Sequence, residues 1–206
     1  MRLKGERHVR IHIETLMKYV VSHMREGERL ILGIDGLSRS GKTTLACGLE
    51  QELRQSGIAT CVLHMDDYIV ERAKRYNTDC EPWEEYYRLQ WDVIGLEERL
   101  FRRLKGTGIL ELMRYDAEKD SHEIQRAAVS EACVVIIEGV FLQRKEWRKY
   151  LDVVAYVDSS RTTRFLRESE ITRRKKDVFV NRYWKAEDYY ITTVAPARLA
   201  ELVLHN

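Results

Sequence analysis

The chain has 206 residues, of which 44% are hydrophobic and 33% charged, a composition typical of a globular protein and unlike that of a disordered one. The formal net charge of +2 is too small to indicate bulk attraction to nucleic acid. No run of about 18 apolar residues indicates a membrane span. We predict a single domain over residues 1–206, large enough to bury a core without disulfides or a structural metal.

Hydrophobic periodicity predicts an alternation of helices and strands. Apolar residues at steps of three and four predict an N-terminal helix within residues 1–28, with its pattern over 7–26. Short apolar runs predict five strands, at 29–35, 58–65, 133–142, 153–158 and 201–206. Helical patterns lie between them, at 42–56, 83–104 and 160–174, and residues 108–116 form a further extended segment. The alternation predicts an α/β fold with a central, mainly parallel five-stranded sheet and helices on both faces.

Four cysteines show no metal-ligand spacing. Cys47 falls in a predicted helix, and Cys61 and Cys133 fall in predicted strands, so we expect buried free thiols. Free thiols fit a reducing compartment, and the N-terminal residues have no apolar run typical of a signal peptide. We therefore expect a cytoplasmic protein.

Residues 36–43, GLSRSGKT, match the phosphate-binding pattern G-x-x-x-x-G-K-[ST] between a predicted strand and a predicted helix. Glycines let backbone N–H groups approach phosphate oxygens, and the following helix directs its N-terminal amides at the same anion. We expect Lys42 to reach the terminal phosphates and the Thr43 hydroxyl to bind Mg²⁺. The predicted nucleotide-binding residues are Gly36, Ser38, Arg39, Ser40, Gly41, Lys42, Thr43 and Thr44. The motif predicts a P-loop NTPase fold with three layers.

Acidic residues follow two of the predicted strands. Asp66 and Asp67 stand where the second strand ends, at the edge of the sheet that faces the ligand. A carboxylate there could accept a proton from a substrate hydroxyl, although a solvated turn or helix cap explains these aspartates equally well. Glu138 ends a strongly apolar strand, the usual place for the carboxylate that organises Mg²⁺. Without that role it would need a buried partner.

Basic residues are concentrated at 160–176. Arg164 and Arg167 are three positions apart, so on a helix they could converge on a single anion. We favour an arginine-bearing lid over the nucleotide phosphates. A solvated helix face and a nucleic-acid patch are the alternatives.

Five stretches together carry a family resemblance: GIDGLSRSGKTTLA, HMDDYI, RYD at 114–116, VVIIEG and VDSSRTTRFLRE. In order and spacing they resemble the uridine kinase and phosphoribulokinase family of P-loop kinases, which includes bacterial pantothenate kinase and nicotinamide riboside kinase. The resemblance spans about residues 30–190. The segment 77–92 does not match the aspartate-rich acceptor loop of uridine kinases, which leaves the acceptor open.

The resemblance implies a role for each matching residue. Asp66 aligns with the catalytic base, and Glu138 with the strand-end glutamate near the metal. Arg164 and Arg167 resemble the lid arginines, and Lys42 belongs to the P-loop. The acceptor-binding positions implied are Asp66, Asp67, Tyr68, Tyr115 and Asp116, and those near the metal are Thr43 and Glu138.

These observations predict an ATP- and Mg²⁺-dependent kinase that phosphorylates a hydroxyl of a small metabolite, with a nucleoside such as uridine or cytidine as the first expectation. We expect no nucleic-acid or membrane partner, and a homo-oligomer is compatible with the sequence. A nucleotide-binding regulator or scaffold without turnover is one alternative. A nucleic-acid-dependent ATPase is the other, and it would require the charges at 161–176 to hold a phosphate backbone.

Overall fold

The computed structural model describes residues 2–106 and 108–206, with side chains from residue 8 onward. Five strands form the central sheet: β1 (Leu30–Asp35), β2 (Thr60–His64), β5 (Val134–Gly139), β6 (Val153–Asp158) and β7 (Leu202–His205). Their order across the sheet is β2-β5-β1-β6-β7, and every neighbouring pair is parallel. The predicted α/β fold with a five-stranded sheet is confirmed.

The neighbouring strands β1 and β5 are buried in the interior of the sheet, as expected for a parallel sheet that is covered on both faces. All residues of β1 and β5 are buried, which matches the apolar runs that precede the carboxylates Asp35 and Glu138. The register pairs Ile34 with Glu138, and it pairs His64 of β2 with the same glutamate. Parallel pairing therefore brings the polar residues that end β1, β2 and β5 to one edge of the sheet.

Helices cover the sheet on both faces. On one side the N-terminal helix α1 (Arg2–His23) packs on α2 (Lys42–Gln55), and their apolar residues Leu16, Val20, Leu45, Leu49 and Leu53 join the core there. The other core is richer in aromatic residues and contains Phe101, Phe141, Trp147 and Tyr190. None of the helices within the described ranges has the length and apolar character needed to cross a membrane.

The remaining helices are short. They are α3 (Arg72–Arg75), α4 (Pro82–Glu84), α5 (Val93–Arg99), α6 (Lys145–Arg148), α7 (Arg161–Leu166), α8 (Glu170–Arg173), α9 (Lys176–Val178), α10 (Lys185–Val194) and α11 (Pro196–Leu199). Single 3₁₀ turns occupy Met65–Tyr68 and Phe101–Arg103, and π-helical segments occupy Glu85–Leu89 and Phe179–Trp184.

Two helices predicted as continuous are interrupted, and capping residues account for this. Within 83–104, Asp92 leaves the helical conformation and its side chain accepts a hydrogen bond from the N–H of Gly95, so α5 begins anew there. Within 160–174, Ser169 does the same for α8 by accepting from the N–H of Thr172. The basic segment is therefore two short helices joined by a turn.

A two-stranded antiparallel hairpin, β3 (Ile109–Asp116) and β4 (Ser121–Ala128), lies apart from the main sheet. Only its first strand was predicted, because the sequence of β4 lacks alternating apolar residues. The expectation of buried thiols also needs correction. Cys133 is buried, Cys61 is half-buried, and Cys47 is exposed, since it lies on the solvent side of α2.

Candidate active site

The P-loop connects β1 to α2, and its two outer glycines are required by geometry. Gly36 and Gly41 have φ angles of +153° and +105°. A Cβ at Gly36 would lie 2.7 Å from the carbonyl oxygen of Val157, and one at Gly41 would lie 2.5 Å from Nδ2 of Asn206. Larger residues would therefore collide with the strands and the side chain that support the loop.

Side chains from distant parts of the chain hold the carbonyl groups of this loop. Arg164 donates to the carbonyl of Ser38 at 3.1 Å. Arg167 donates to the carbonyls of Arg39 and Ser40 at 3.0 and 3.1 Å, and Nδ2 of Asn206 also donates to that of Ser40, at 2.6 Å. The two predicted lid arginines thus contact the loop backbone in this structure.

Lys42, the first residue of α2, lies buried below the loop, and its Nζ donates to the carbonyl of Leu37 at 3.0 Å. Burial lowers the pKa of Lys42, while the charges of Glu138, Asp66 and Asp35 act in the opposite direction. Three carboxylates therefore favour the ammonium form of the lysine at the phosphate-binding loop.

Glu138, at the end of β5, accepts two hydrogen bonds on the same oxygen. Thr43 Oγ1 donates to Oε1 at 3.0 Å, and His64 Nδ1 donates to it at 2.7 Å. Burial alone would raise the pKa of Glu138, but the hydrogen bond from His64 and the charge of Lys42 outweigh it and lower that pKa. The same hydrogen bond raises the pKa of His64. The site thus presents an ionised carboxylate next to the Thr43 hydroxyl.

Asp66 stands in the 3₁₀ turn after β2, with its side chain open to the cleft. In the described part of the chain its carboxylate makes no hydrogen bond or ion pair. Partial desolvation raises the pKa of Asp66, and Glu138 and Asp67 raise it further against the opposing charge of Lys42. Asp67 differs because Nε of Arg114 lies 3.7 Å from its Oδ1. Of the two aspartates, Asp66 is the one available to a ligand.

A cleft of about 740 Å³ runs along the carboxyl ends of the strands. The predicted site residues that line it are Ser38, Arg39, Gly41, Lys42, Thr43, Thr44, Asp66, Glu138, Arg164 and Arg167. A row of aromatic residues, which we call the aromatic wall, lines it as well: Tyr86, Tyr183, Phe179, Phe165 and Trp184. The volume suits a small-molecule ligand.

Residues 31–177 of this chain match the model of the Phosphoribulokinase / Uridine kinase family. The chain belongs to this family of kinases.

Individual relatives agree with the family assignment. The chain is 30% identical over 175 residues to a uridine kinase of Leuconostoc citreum, a match that covers 81% of this chain and 78% of the relative. It is 48% identical to a structure described as a possible uridine kinase from Bacillus stearothermophilus, with a TM-score of 0.82 over 99% of this chain and 100% of that one. D-glycerate 3-kinase from Cryptococcus neoformans is 12% identical with a TM-score of 0.55, over 89% of this chain and 84% of that one, and shares the fold.

Six of the predicted site residues of this kinase do not line the cleft: Gly36, Ser40, Asp67, Tyr68, Tyr115 and Asp116. Gly36 and Ser40 belong to the P-loop itself, and Tyr68 is buried in the core. Tyr115 donates to Oδ1 of Asp120 at 2.7 Å, and Asp116 accepts from the N–H groups that follow it in the hairpin turn. Acceptor binding by these hairpin residues stays a prediction.

The sequence analysis missed Asp35, which supports the P-loop of the kinase from below. This fully buried carboxylate accepts from the N–H of Gly36 at 2.8 Å, from Tyr190 OH at 2.5 Å and from Gln143 Nε2 at 3.0 Å. Burial raises the pKa of Asp35 despite these hydrogen bonds. The sequence did contain a pattern that indicates such a residue, because Asp35 follows the apolar run of β1 as Glu138 follows that of β5.

Proposed function

We propose that this kinase transfers the γ-phosphate of ATP to a hydroxyl group of a nucleoside. The observation that carries the proposal is that Asp66, an unpaired carboxylate with a raised pKa, faces the same cleft as the P-loop and Lys42. A base and a phosphate-binding loop on one cavity are the parts that phosphoryl transfer to a hydroxyl needs. The names of the relatives, which include uridine kinases, support a nucleoside as the acceptor.

In the proposed reaction, Asp66 accepts the proton of the attacking hydroxyl. The acceptor oxygen forms a bond to the γ-phosphorus, while the bond between that phosphorus and the bridging oxygen breaks and ADP leaves with the electron pair. Lys42 stabilises the negative charge on the transferring group, and backbone N–H groups at the start of α2 bind the phosphates. The proton then passes from Asp66 to solvent.

The residues present fit a magnesium ion carried with the nucleotide. Thr43 and Glu138 offer hard oxygen ligands 3.0 Å apart, and Mg²⁺ in such sites is completed by phosphate oxygens and water. Among the residues that the structure describes, no group of three or more His, Cys, Asp and Glu side chains could hold a metal ion. When bound, Mg²⁺ would offset negative charge on the phosphates.

We also place the protein in the cytoplasm, where ATP and free nucleosides are available. Its four cysteines are all free thiols, which suits a reducing compartment. We expect neither a nucleic-acid nor a membrane partner, and a homo-oligomer fits the proposal.

The test is the rate of ATP consumption by the purified protein with a panel of acceptors: uridine, cytidine, purine nucleosides, pantothenate, glycerate and sugar phosphates. We expect a nucleoside to stimulate turnover and Asp66→Asn to lower the stimulated rate by about 10²–10⁴. ATP binding without turnover on any acceptor would favour a regulator or scaffold. Stimulation by an oligonucleotide, with strong salt dependence, would favour a nucleic-acid-dependent ATPase.

A further inference from the structure

Gln90 is a buried polar residue whose side chain has no hydrogen-bond partner among the residues that the structure describes. It is 9% exposed, it lines the cleft, and its Oε1 is fully shielded without a hydrogen bond. Neither end of its side-chain amide is hydrogen-bonded to another of the described residues. Buried amides are nearly always hydrogen-bonded, so one left open on a cleft wall indicates a ligand group that completes it.

The backbone fixes Gln90 beside the proposed base. The N–H of Val70 donates to the carbonyl of Gln90 at 3.0 Å, and Nε1 of Trp91 donates to the carbonyl of Met65 at 2.8 Å. These bonds attach the 90–91 segment to both ends of the stretch that contains Asp66. An acceptor molecule whose hydroxyl reaches Asp66 therefore extends along the wall that Gln90 forms.

This part of the cleft, which we call the acceptor end, carries no positive charge on its walls. Its lining residues are Asp66, Ile69, Tyr86, Gln90, Phe179 and Tyr183. The cations that line the cleft are Arg39, Lys42, Arg164 and Arg167, and all of them belong to the P-loop or contact its backbone.

One buried cation behind this wall is already paired with a carboxylate. Arg182 lies 5.9 Å from the ring of Tyr86 but is paired with Glu85 at 2.5 Å. An acceptor bearing a carboxylate or phosphate would add a second negative charge beside Asp66, and the cation that acts on Asp66 there, Lys42, belongs to the phosphate-binding loop. Such an arrangement is unfavourable in a partly desolvated site.

We propose that the acceptor end is a subsite for an uncharged acceptor with a flat polar ring, and that Gln90 is the residue that recognises the polar edge of this ring. This inference rests on the proposed kinase function and specifies its acceptor. Tyr86 and Tyr183, whose rings meet edge to face at 4.9 Å, supply the apolar surface for the ring. Oε1 of Gln90 is shielded, so Nε2 is the end of the amide that can meet the ring, and it supplies a donor for a carbonyl oxygen of a nucleobase.

The experiment compares wild type with Gln90→Met, which keeps the size but removes the amide, and Gln90→Glu, which keeps the shape but loses the donor. Gln125→Leu on the exposed face of β4 is the control. Steady-state kinetics are measured with uridine, cytidine and glycerate as acceptors, together with ATP affinity and melting temperature. We expect KM for the nucleoside to rise about 10- to 100-fold in both Gln90 variants, because the ring edge loses its partner. KM for ATP should stay within about twofold of wild type.

The outcomes separate this inference from the proposed function. Nucleoside turnover with unchanged KM in folded Gln90 variants would overturn the role of Gln90 and leave the kinase proposal intact. Turnover with glycerate but with no nucleoside would overturn the uncharged subsite while a kinase remains. No turnover with any acceptor would overturn both.

Discussion

Arg164 and Glu187 form a buried bidentate ion pair, in which Nη1 of the arginine lies 2.7 Å from Oε1 of the glutamate and Nη2 lies 3.0 Å from Oε2. The same guanidinium donates to the carbonyl of Ser38, so the pair connects α7 and α10 to the P-loop. The Arg164 guanidinium therefore contacts Glu187 and the loop backbone at the same time. The pair acts as a support of the nucleotide-binding loop.

Glu187→Gln should weaken both folding and nucleotide binding. Removing one partner of a buried pair leaves an uncompensated charge, which costs about 3–5 kcal/mol, and the freed Arg164 would no longer hold Ser38 in place. We expect a lower melting temperature and a clear rise in the ATP dissociation constant, measured by calorimetric titration.

The control for that variant is Glu85→Gln, which breaks the buried pair between Glu85 and Arg182. It should lower stability in a similar way, but ATP affinity should remain because neither residue contacts the P-loop. Equal ATP affinity in Glu187→Gln and wild type would contradict the supporting role.

Variants of Lys42 and Asp66 should distinguish a role in nucleotide binding from a role in phosphoryl transfer. Lys42→Ala removes a cation directed at the terminal phosphates, so ATP affinity and turnover should both fall. Asp66→Asn keeps size and polarity but loses basicity, so ATP affinity should survive while turnover falls by about 10²–10⁴. Asp67→Asn should lower turnover less than Asp66→Asn does, because Asp67 is paired with Arg114 and does not line the cleft. Normal turnover in Asp66→Asn together with loss in Asp67→Asn would show that the base is the other aspartate.

Asp66 should also lower the stability of the fold at neutral pH. Its pKa is raised in the folded protein, so the folded state binds the proton more tightly than the unfolded state does. The resulting destabilisation is fully present above the folded pKa and disappears below the unfolded value. Asp66→Asn should therefore raise the melting temperature at about pH 7.5 by a few degrees, and the gain should shrink toward about pH 4.

Thermal melts of wild type and Asp66→Asn across this pH range measure the effect. Asp79→Asn is the control for the change of charge, because Asp79 is exposed. A melting temperature of Asp66→Asn at or below that of wild type at neutral pH would rule out the proposed destabilisation.

The Thr43 hydroxyl should determine the magnesium requirement. Thr43→Val keeps the shape but removes the oxygen that lies 3.0 Å from Glu138. We expect the magnesium concentration for half-maximal activity to rise at least about tenfold. Thr43→Ser retains the hydroxyl and should behave like wild type. If both variants respond identically to magnesium, Thr43 has no role at the metal.

The sequence predicted the parts of the protein that are encoded locally. Each strand of the central sheet contains a short apolar run, and the P-loop is a fixed pattern that joins a strand to a helix. Breaks in helices were missed, because Asp92 and Ser169 act as caps only when the chain turns at that point.

Contacts between distant residues were also beyond the sequence. Glu187 and Asn206 reach the P-loop region from positions far along the chain, and no local pattern marks them. The sequence also could not reveal that the side-chain amide of Gln90 lacks a hydrogen-bond partner, because this depends on how the chain packs around it.

The aromatic wall gives the protein an intrinsic optical reporter. Trp91 and Trp147 are in the core, and Trp83 packs against Tyr189, whereas Trp184 lines the cleft with its ring 5.3 Å from the guanidinium of Arg161. Of the tryptophan fluorescence, the part emitted by Trp184 should therefore respond to ligands that enter the cleft. Trp184→Phe would remove this emission and serve as the matched control. Nucleotide and acceptor occupancy could then be followed in real time without attaching a dye.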